Sequence, residues 1–117
     1  MQTDTTARPL PLVGVRVVDF SWIVAGPQAT RILADLGAEV IRVENEGHVD
    51  SMRLGNQANP QQPSYNGSGF FSNFNRNKRS VTANLHHPQG HEFVERLIAI
   101  SDVVIENYSA GVFDRLG

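Results

Sequence analysis

The 117-residue sequence has no cysteine, which removes disulfides and thiolate chemistry from consideration and fits a reducing compartment. It has no stretch approaching the roughly 20 apolar residues of a membrane-spanning helix. The opening MQTDTTARPLPL also lacks the apolar run of a signal peptide. An excess of one charge sign is missing as well. Ten Lys and Arg against twelve Asp and Glu give a net charge of −2 at pH 7, so neither nucleic acid nor an anionic membrane has electrostatic support as the main partner. Together these absences set the expectation of a cytoplasmic soluble protein. One more is local. The segment AGPQATRILADLGAEVIRVE (25–44) orders its signals as turn, helix and strand, like a nucleotide-binding unit. Its turn holds one glycine and one proline where a dinucleotide-type phosphate loop holds three glycines.

What is present reads as alternating strands and helices. Residues 1–12 are polar, contain two prolines and read as a flexible lead-in to residues 13–117. The run VRVVDF (15–20) is Val-rich and bounded by turn residues, the signature of a buried strand. A helix follows with Pro27 at its first position. Ala29, Ile32, Leu33 and Leu36 recur at helical spacing as its inward stripe, and Gly37 serves as a left-handed cap. EVIRVE (39–44) is the second strand. Residues 45–74, rich in Asn, Gln, Gly, Ser and Pro, form a long loop of the kind that is usually functional or disordered. RSVTANL (79–85) is a third strand. HPQGHEFVERLIAI (87–100) is a helix with Phe93, Val94, Leu97 and Ile98 inward, and DVVIENY (102–108) is a fourth strand. SAGVFDRLG starts a last helix, capped by Ser109, with Val112, Phe113 and Leu116 inward.

The order β-α-β-loop-β-α-β-α predicts an α/β fold: a Rossmann-like parallel sheet flanked by helices. Ligands of such sheets sit outside the carboxyl ends of the strands, here around 21–27, 44–50, 85–88 and 106–111.

Four segments together resemble the family III CoA-transferases, which include formyl-CoA transferase, carnitine CoA-transferase and 2-methylacyl-CoA racemase. They are VRVVDFSWIVAGPQATRILADLGAEVIRVE, GHVDSMR, FNRNKRS with HPQG beyond it, and DVVIENYSAGVFDRLG. The resemblance runs from about Pro11 to Gly117 and implies an amino-terminal portion of a longer enzyme, hence an incomplete domain. It further implies coenzyme A or acyl-CoA as the substrate, a carboxylic acid as the second partner, and an interlocked homodimer. In such enzymes a carboxylate attacks the thioester, and CoA returns through an aspartyl thioester, dividing one hard step into easier ones. The implied nucleophile is an aspartate downstream of the segments matched here, so no catalytic residue is expected among Asp19, Asp35, Asp50, Asp102 and Asp114.

The resemblance carries coenzyme contacts onto Ile23, Val24, Asn45, Asn84, Leu85, His86, Asn107, Tyr108 and Arg115. Three of these depart from the family pattern. Val24 stands where formyl-CoA transferase has glutamine, Asn45 where it has arginine, and His86 where lysine is common. Asn brings a donor without charge, and imidazole is mostly neutral at pH 7, so phosphate attraction is expected to be weaker. Arg76, Lys78 and Arg79 beside Phe70, Phe71 and Phe74 have the cation–aromatic mixture of single-strand binders. The NRNKRS match favours a hinge lining the coenzyme side, with no nucleic-acid role. His87 and His91 have a helical metal-ligand spacing but no third ligand, so no metal is expected. Asp35 is expected to face solvent. The competing functions are an acyl-CoA racemase or isomerase of the same family, and a stand-alone, non-catalytic CoA-binding module.

Overall fold

The computed structural model describes residues 8–117; residues 1–7 of the lead-in lie outside the described residues. Four strands form a single all-parallel sheet. They are β1 (Arg16–Asp19), β2 (Glu39–Glu44), β3 (Arg79–Thr82) and β4 (Val103–Ile105), in the spatial order β3-β2-β1-β4. The chain begins in the middle and winds outward through β2 to β3. It then returns to place β4 on the other side of β1. That reversal between β1 and β4 is the topological switch point at which open α/β sheets bind ligands.

Side chains alternate across the pleat, and so each strand feeds two cores. Val17 and Val40 face α1 (Ala25–Asp35) and pack with Ala34 and Ala38. Val18, Phe20 and Val43 face the other way, against Val94 and Leu97 of α4 (Pro88–Ala99), with Phe113 of α5 (Val112–Arg115) packed alongside. Val17, Val18, Val40 and Phe20 are almost wholly buried, and each such side chain contributes about 1.5–3 kcal/mol gross. The outer strands are less covered: β3 and β4 are edges, and Val103 and Val104 remain partly open.

The stripe expected on α1 is corrected except at Leu33, which packs against the α1-side core. Ile32 is 47% and Leu36 40% exposed, and Ala29 is exposed too, while Gly26, Pro27, Thr30 and Ala34 are buried. The helix presents its small residues to the sheet because it approaches very closely. A Cβ on Gly26 would lie 2.2 Å from that of Ser21, a contact no substitution could relieve without moving the helix. Gly26 thus serves helix–strand packing. Pro27 sits in the third position of the helix, not the first. The capping by Gly37 is as the sequence predicts. Its φ is +104°, its N–H donates to the Ala34 carbonyl at 3.0 Å, and Ala38 N–H donates to Leu33 at 3.1 Å, a Schellman pair.

Two further expectations change. Ser109 does not cap α5; the N-cap is Gly111 in the left-handed region, and Ser109 instead accepts the Val112 N–H through its backbone carbonyl. On α4, Val94 and Leu97 are buried and Ile98 packs against them, but Phe93 is 46% exposed. The 45–74 segment contains two short helices, α2 (Ser51–Leu54) and α3 (Gly69–Phe74). Each is capped by a side chain, Asp50 accepting from Met52 N–H at 2.9 Å and Ser68 from Phe71 N–H at 3.2 Å. In the lead-in, Leu12 packs against the α1-side core.

Candidate coenzyme cleft at the strand tips

On the α4 side, the carboxyl ends of the strands open into a cleft of about 640 Å³, within the usual range for small-molecule sites. Phe20 and Trp22 leave β1 into it, Val43, Asn45 and His48 come from β2 and the turn after it, and Asn84, Leu85 and His86 follow β3. Tyr108 follows β4, while Val112 and Leu116 close the wall from α5 and just beyond. Its surface is largely apolar, with amide and imidazole groups at intervals. Burial, opposed in part by the nearby Arg42 charge, pushes the Tyr108 phenol above its ordinary range. The group therefore stays a neutral hydrogen-bond donor at pH 7.

The residues carried over from the resemblance divide clearly. Asn45, Asn84, Leu85, His86 and Tyr108 meet in this cleft. Asn107 acts one step behind it, since its side chain accepts the Trp22 N–H at 2.8 Å and donates to the Trp22 carbonyl at 2.9 Å. Ile23 and Val24 are exposed beside the cleft without lining it, and Arg115 is exposed on α5 with its guanidinium turned towards Gly111.

Sequence reading missed the segment that aims Trp22. Ser21 N–H donates to Asp19 at 2.8 Å, and the Ser21 carbonyl accepts from Arg42 at 2.9 Å. Ile23 N–H donates to Asp50 at 3.2 Å. Ile23 itself has φ +67°, a left-handed conformation that costs a β-branched residue on the order of 1–3 kcal/mol and persists only where its surroundings fix it. Here side chains from three distant segments do so. The imidazole of His48 stacks on Trp22 with ring centroids 4.9 Å apart. The available signal was composition: Trp22 is the single tryptophan of the sequence and lies at a strand tip.

A second groove of about 710 Å³ runs beside β3 and is lined by Glu44, Arg53, Tyr65 and Ser80 among others. Its cation is already engaged. Arg53 forms a fork to Glu44 at 2.8 and 2.7 Å and donates to the Tyr65 carbonyl at 2.7 Å. It also lies 3.7 Å from the Phe71 ring centre. With its donors spent on the protein, this groove is a poorer ligand site than the cleft at the switch point.

The basic segment 76–79 likewise turns inward. Lys78, expected to line the coenzyme side, is buried on the α1 side. It donates to Asp19 at 3.0 Å, to the Pro27 carbonyl at 3.0 Å and to Asn75 at 2.9 Å. Asp35 lies on the exposed side of α1, as expected, and is paired there with Arg76 and Asn77. His87 caps α4 by accepting the Gln89 N–H, and His91 contacts the Leu116 carbonyl. Among the described residues no group of three potential ligands could hold a metal ion, and no helix is long and apolar enough to cross a membrane.

A doubly wound parallel sheet with an apolar, amide-studded cleft at its switch point defines a nucleotide-fold α/β protein. The CoA-transferase family III model matches residues 12–117. A formyl-CoA:oxalate CoA-transferase of Rhodopseudomonas palustris is 42% identical over 106 residues, spanning 91% of this chain and 24% of that protein. A succinyl-CoA:glutarate CoA-transferase of Mus musculus is 44% identical over 108 residues, spanning 92% and 24%. Among solved structures, a CAIB/BAIF family protein from Brucella suis superposes with a TM-score of 0.79 at 38% identity, over 93% of this chain and 29% of its own. The chain belongs to CoA-transferase family III. It spans about a quarter of the length of these curated relatives.

Proposed function

We propose that this chain supplies the coenzyme-binding part of a CoA-transferase that moves CoA between an acyl-CoA and a carboxylic acid. The observation that carries the reading is the convergence of Asn45, Asn84, Leu85, His86 and Tyr108, from three different strand ends, on one cleft at the switch point. Leu85, Tyr108 and Val112 offer an apolar slot for a ring, and the amides offer donors for polar arms. Asn107 holds the adjoining wall, and Ile23, Val24 and Arg115 lie at the margin, where a coenzyme longer than the cleft would reach them.

The nucleophile, in this reading, is not among the described aspartates. Asp19 and Asp50 are buried and committed to Lys78 and Arg42. Asp35 is held by Arg76, and Asp102 accepts the Arg16 N–H at 2.8 Å. Asp114 is exposed on α5, outside the cleft. The reading includes a cytoplasmic, homodimeric parent enzyme without a metal. The exposed Leu10, Val13, Ile32 and Leu36 would then be covered by the rest of the protein or its partner.

Calorimetric titration of the purified protein with coenzyme A tests the proposal. Saturable binding is expected, weakened about tenfold or more when Leu85→Asp places a charge in the apolar slot. Absence of binding at millimolar coenzyme would refute the site. Steady CoA exchange catalysed by residues 1–117 alone would refute the placement of the nucleophile elsewhere.

A further inference from the structure

Of the ten Lys and Arg side chains in the sequence, Lys78 is the single lysine. The others are arginines, whose guanidinium stays protonated and accepts no acyl group. The amino terminus aside, Lys78 therefore carries the one amine that an acyl thioester could convert to an amide. The coenzyme cleft makes no use of it.

That amine is fully engaged. The Lys78 side chain is 2% exposed and that of Asp19 0%. Nζ donates to Asp19 Oδ2 at 3.0 Å, to the Pro27 carbonyl at 3.0 Å and to Asn75 Oδ1 at 2.9 Å. An ammonium has three N–H groups, so every one is taken and no face of the nitrogen is left for a carbonyl carbon to approach. Burial lowers the Lys78 ammonium below its ordinary value, against the opposing pull of Asp19. A desolvated lysine of that kind is ordinarily a nucleophile; here hydrogen bonding and packing withhold it.

The segment that carries Lys78 is pinned on both sides. Asn77 has φ +63°, a left-handed conformation that Asn tolerates better than most residues. Its amide donates to Asp35 of α1 at 2.7 Å, and Arg76 donates to the same carboxylate at 2.8 Å. Asn75 Oδ1 also accepts from Arg42 at 3.0 Å. Releasing the amine means parting from β1, α1 and the end of α3 together.

We propose that Lys78 is a masked acyl-acceptor site, closed to acyl thioesters in the folded chain, acylated when the α1 face opens, and unable to return once acylated. In that step the neutral amine attacks the thioester carbonyl, a C–N bond forms, and the C–S bond breaks. The nitrogen gives up one proton, and the sulfur leaves as the thiol. The resulting amide carries no charge and a single N–H, so it neither balances Asp19 nor serves three acceptors. A carboxylate left buried without its cation is strongly unfavourable, and the acyl group adds bulk to a filled site. In a protein that handles acyl thioesters, substrate would then mark opened copies and spare folded ones. That consequence rests on the coenzyme reading above; the masking does not.

The test uses N,S-diacetylcysteamine, a small acetyl thioester that carries no nucleotide and so reports on the amine independently of the cleft. The 117-residue chain carrying Arg79→Lys is treated at mildly alkaline pH, and acetylation is located by peptide mass spectrometry. The Arg79 side chain is 78% exposed, so the amine introduced there is an internal rate standard one residue away. In the folded protein position 78 should acetylate about a hundredfold or more slowly than position 79, because it reacts only from a rarely opened state. In guanidinium chloride the two rates should converge. After partial acetylation in denaturant followed by dilution, chains modified at Lys78 should be depleted from the folded fraction, while modification at position 79 is shared evenly between the folded and unfolded fractions. Comparable rates at the two positions in folded protein overturn the masking. Chains modified at Lys78 that refold in proportion overturn the irreversibility, and the proposal falls with either. Neither result touches the coenzyme reading, which the titration with coenzyme A decides separately.

Discussion

The two faces of the sheet use the same strands in opposite ways. On the α1 face, near the strand tips, Asp19, Ser21, Thr30, Arg42, Asp50 and Lys78 form a buried polar network. Asp19 accepts from Lys78, Ser21 and Thr30, and Arg42 reaches Asp50 at 2.5 Å while its Nε lies 3.4 Å from Glu44 without hydrogen-bond geometry. On the α4 face the same strand ends offer Phe20, Val43 and Leu85, with charge nearly absent. One face is locked and the other is left open. The difference shows where rigidity has been placed: the network holds the 21–23 backbone from behind, and the cleft in front then has a fixed wall.

The comparison breaks most severely at Lys78. Replacing it with Met leaves the Asp19 carboxylate buried with only hydroxyl and amide partners. Removing one member of a buried pair costs roughly 3–5 kcal/mol, against a total stability of about 5–15 kcal/mol for a domain. Urea unfolding of Lys78→Met should show a free energy of unfolding lower by that amount, and Asp19→Asn combined with Lys78→Met should recover part of it. If the single variant unfolds within about 1 kcal/mol of the parent, the locked face is not the source of rigidity argued here.

That network is also what the sequence concealed. The strands were legible because runs of Val bounded by turn residues admit few other readings, and EVIRVE matches β2 residue for residue. Helix α1 was legible in existence and in its Gly37 terminus, but its buried side was misjudged. Hydrophobic periodicity assigns large aliphatics inward, whereas the close approach at Gly26 puts Gly26, Pro27, Thr30 and Ala34 against the sheet, and of the expected large aliphatics Leu33 alone packs there. The bond between Lys78 and Asp19 joins residues 59 apart, a pairing no local pattern announces. In the cleft, Asn84, Leu85, His86 and Tyr108 were readable as strand tips. Trp22 and His48 also fall within the strand-tip ranges, but their stacking was not readable, because it depends on two loop conformations, one of them strained.

A smaller effect is expected at the joint between the two faces. Asn107 bonds both backbone groups of Trp22, at an exposed position, and two such hydrogen bonds contribute about 1 kcal/mol each. Asn107→Ala should therefore lower stability by about 1–2 kcal/mol. Because the Trp22 wall would loosen, it should weaken coenzyme affinity more than its loss of stability suggests. Asn107→Asp keeps the acceptor for the Trp22 N–H and loses the donor, so it should fall between the parent and the Ala variant. A change in stability with unaltered affinity would assign Asn107 to the scaffold alone.

The smallest effect concerns how the locked face responds to acid. Burial raises the Glu44 carboxyl, but hydrogen bonds from Arg53 and Ser80 and the charges of Arg42 and Arg53 outweigh it, leaving the group below its ordinary value of 4.5. A carboxylate depressed in the folded state stabilises fully above its unfolded pKa. That contribution is lost as pH falls through the folded value. Glu44→Gln should accordingly cost about 1 kcal/mol near pH 7, the upper end of the range for surface ion pairs, because Glu44 and Arg53 are only 15% and 13% exposed. The gap between variant and parent should narrow as pH falls below the ordinary 4.5 and close once the parent carboxyl has taken up its proton. Urea midpoints measured for both proteins from pH 3 to 7 would show this convergence, and parallel curves would mean that the fork to Arg53 contributes nothing to the locked face.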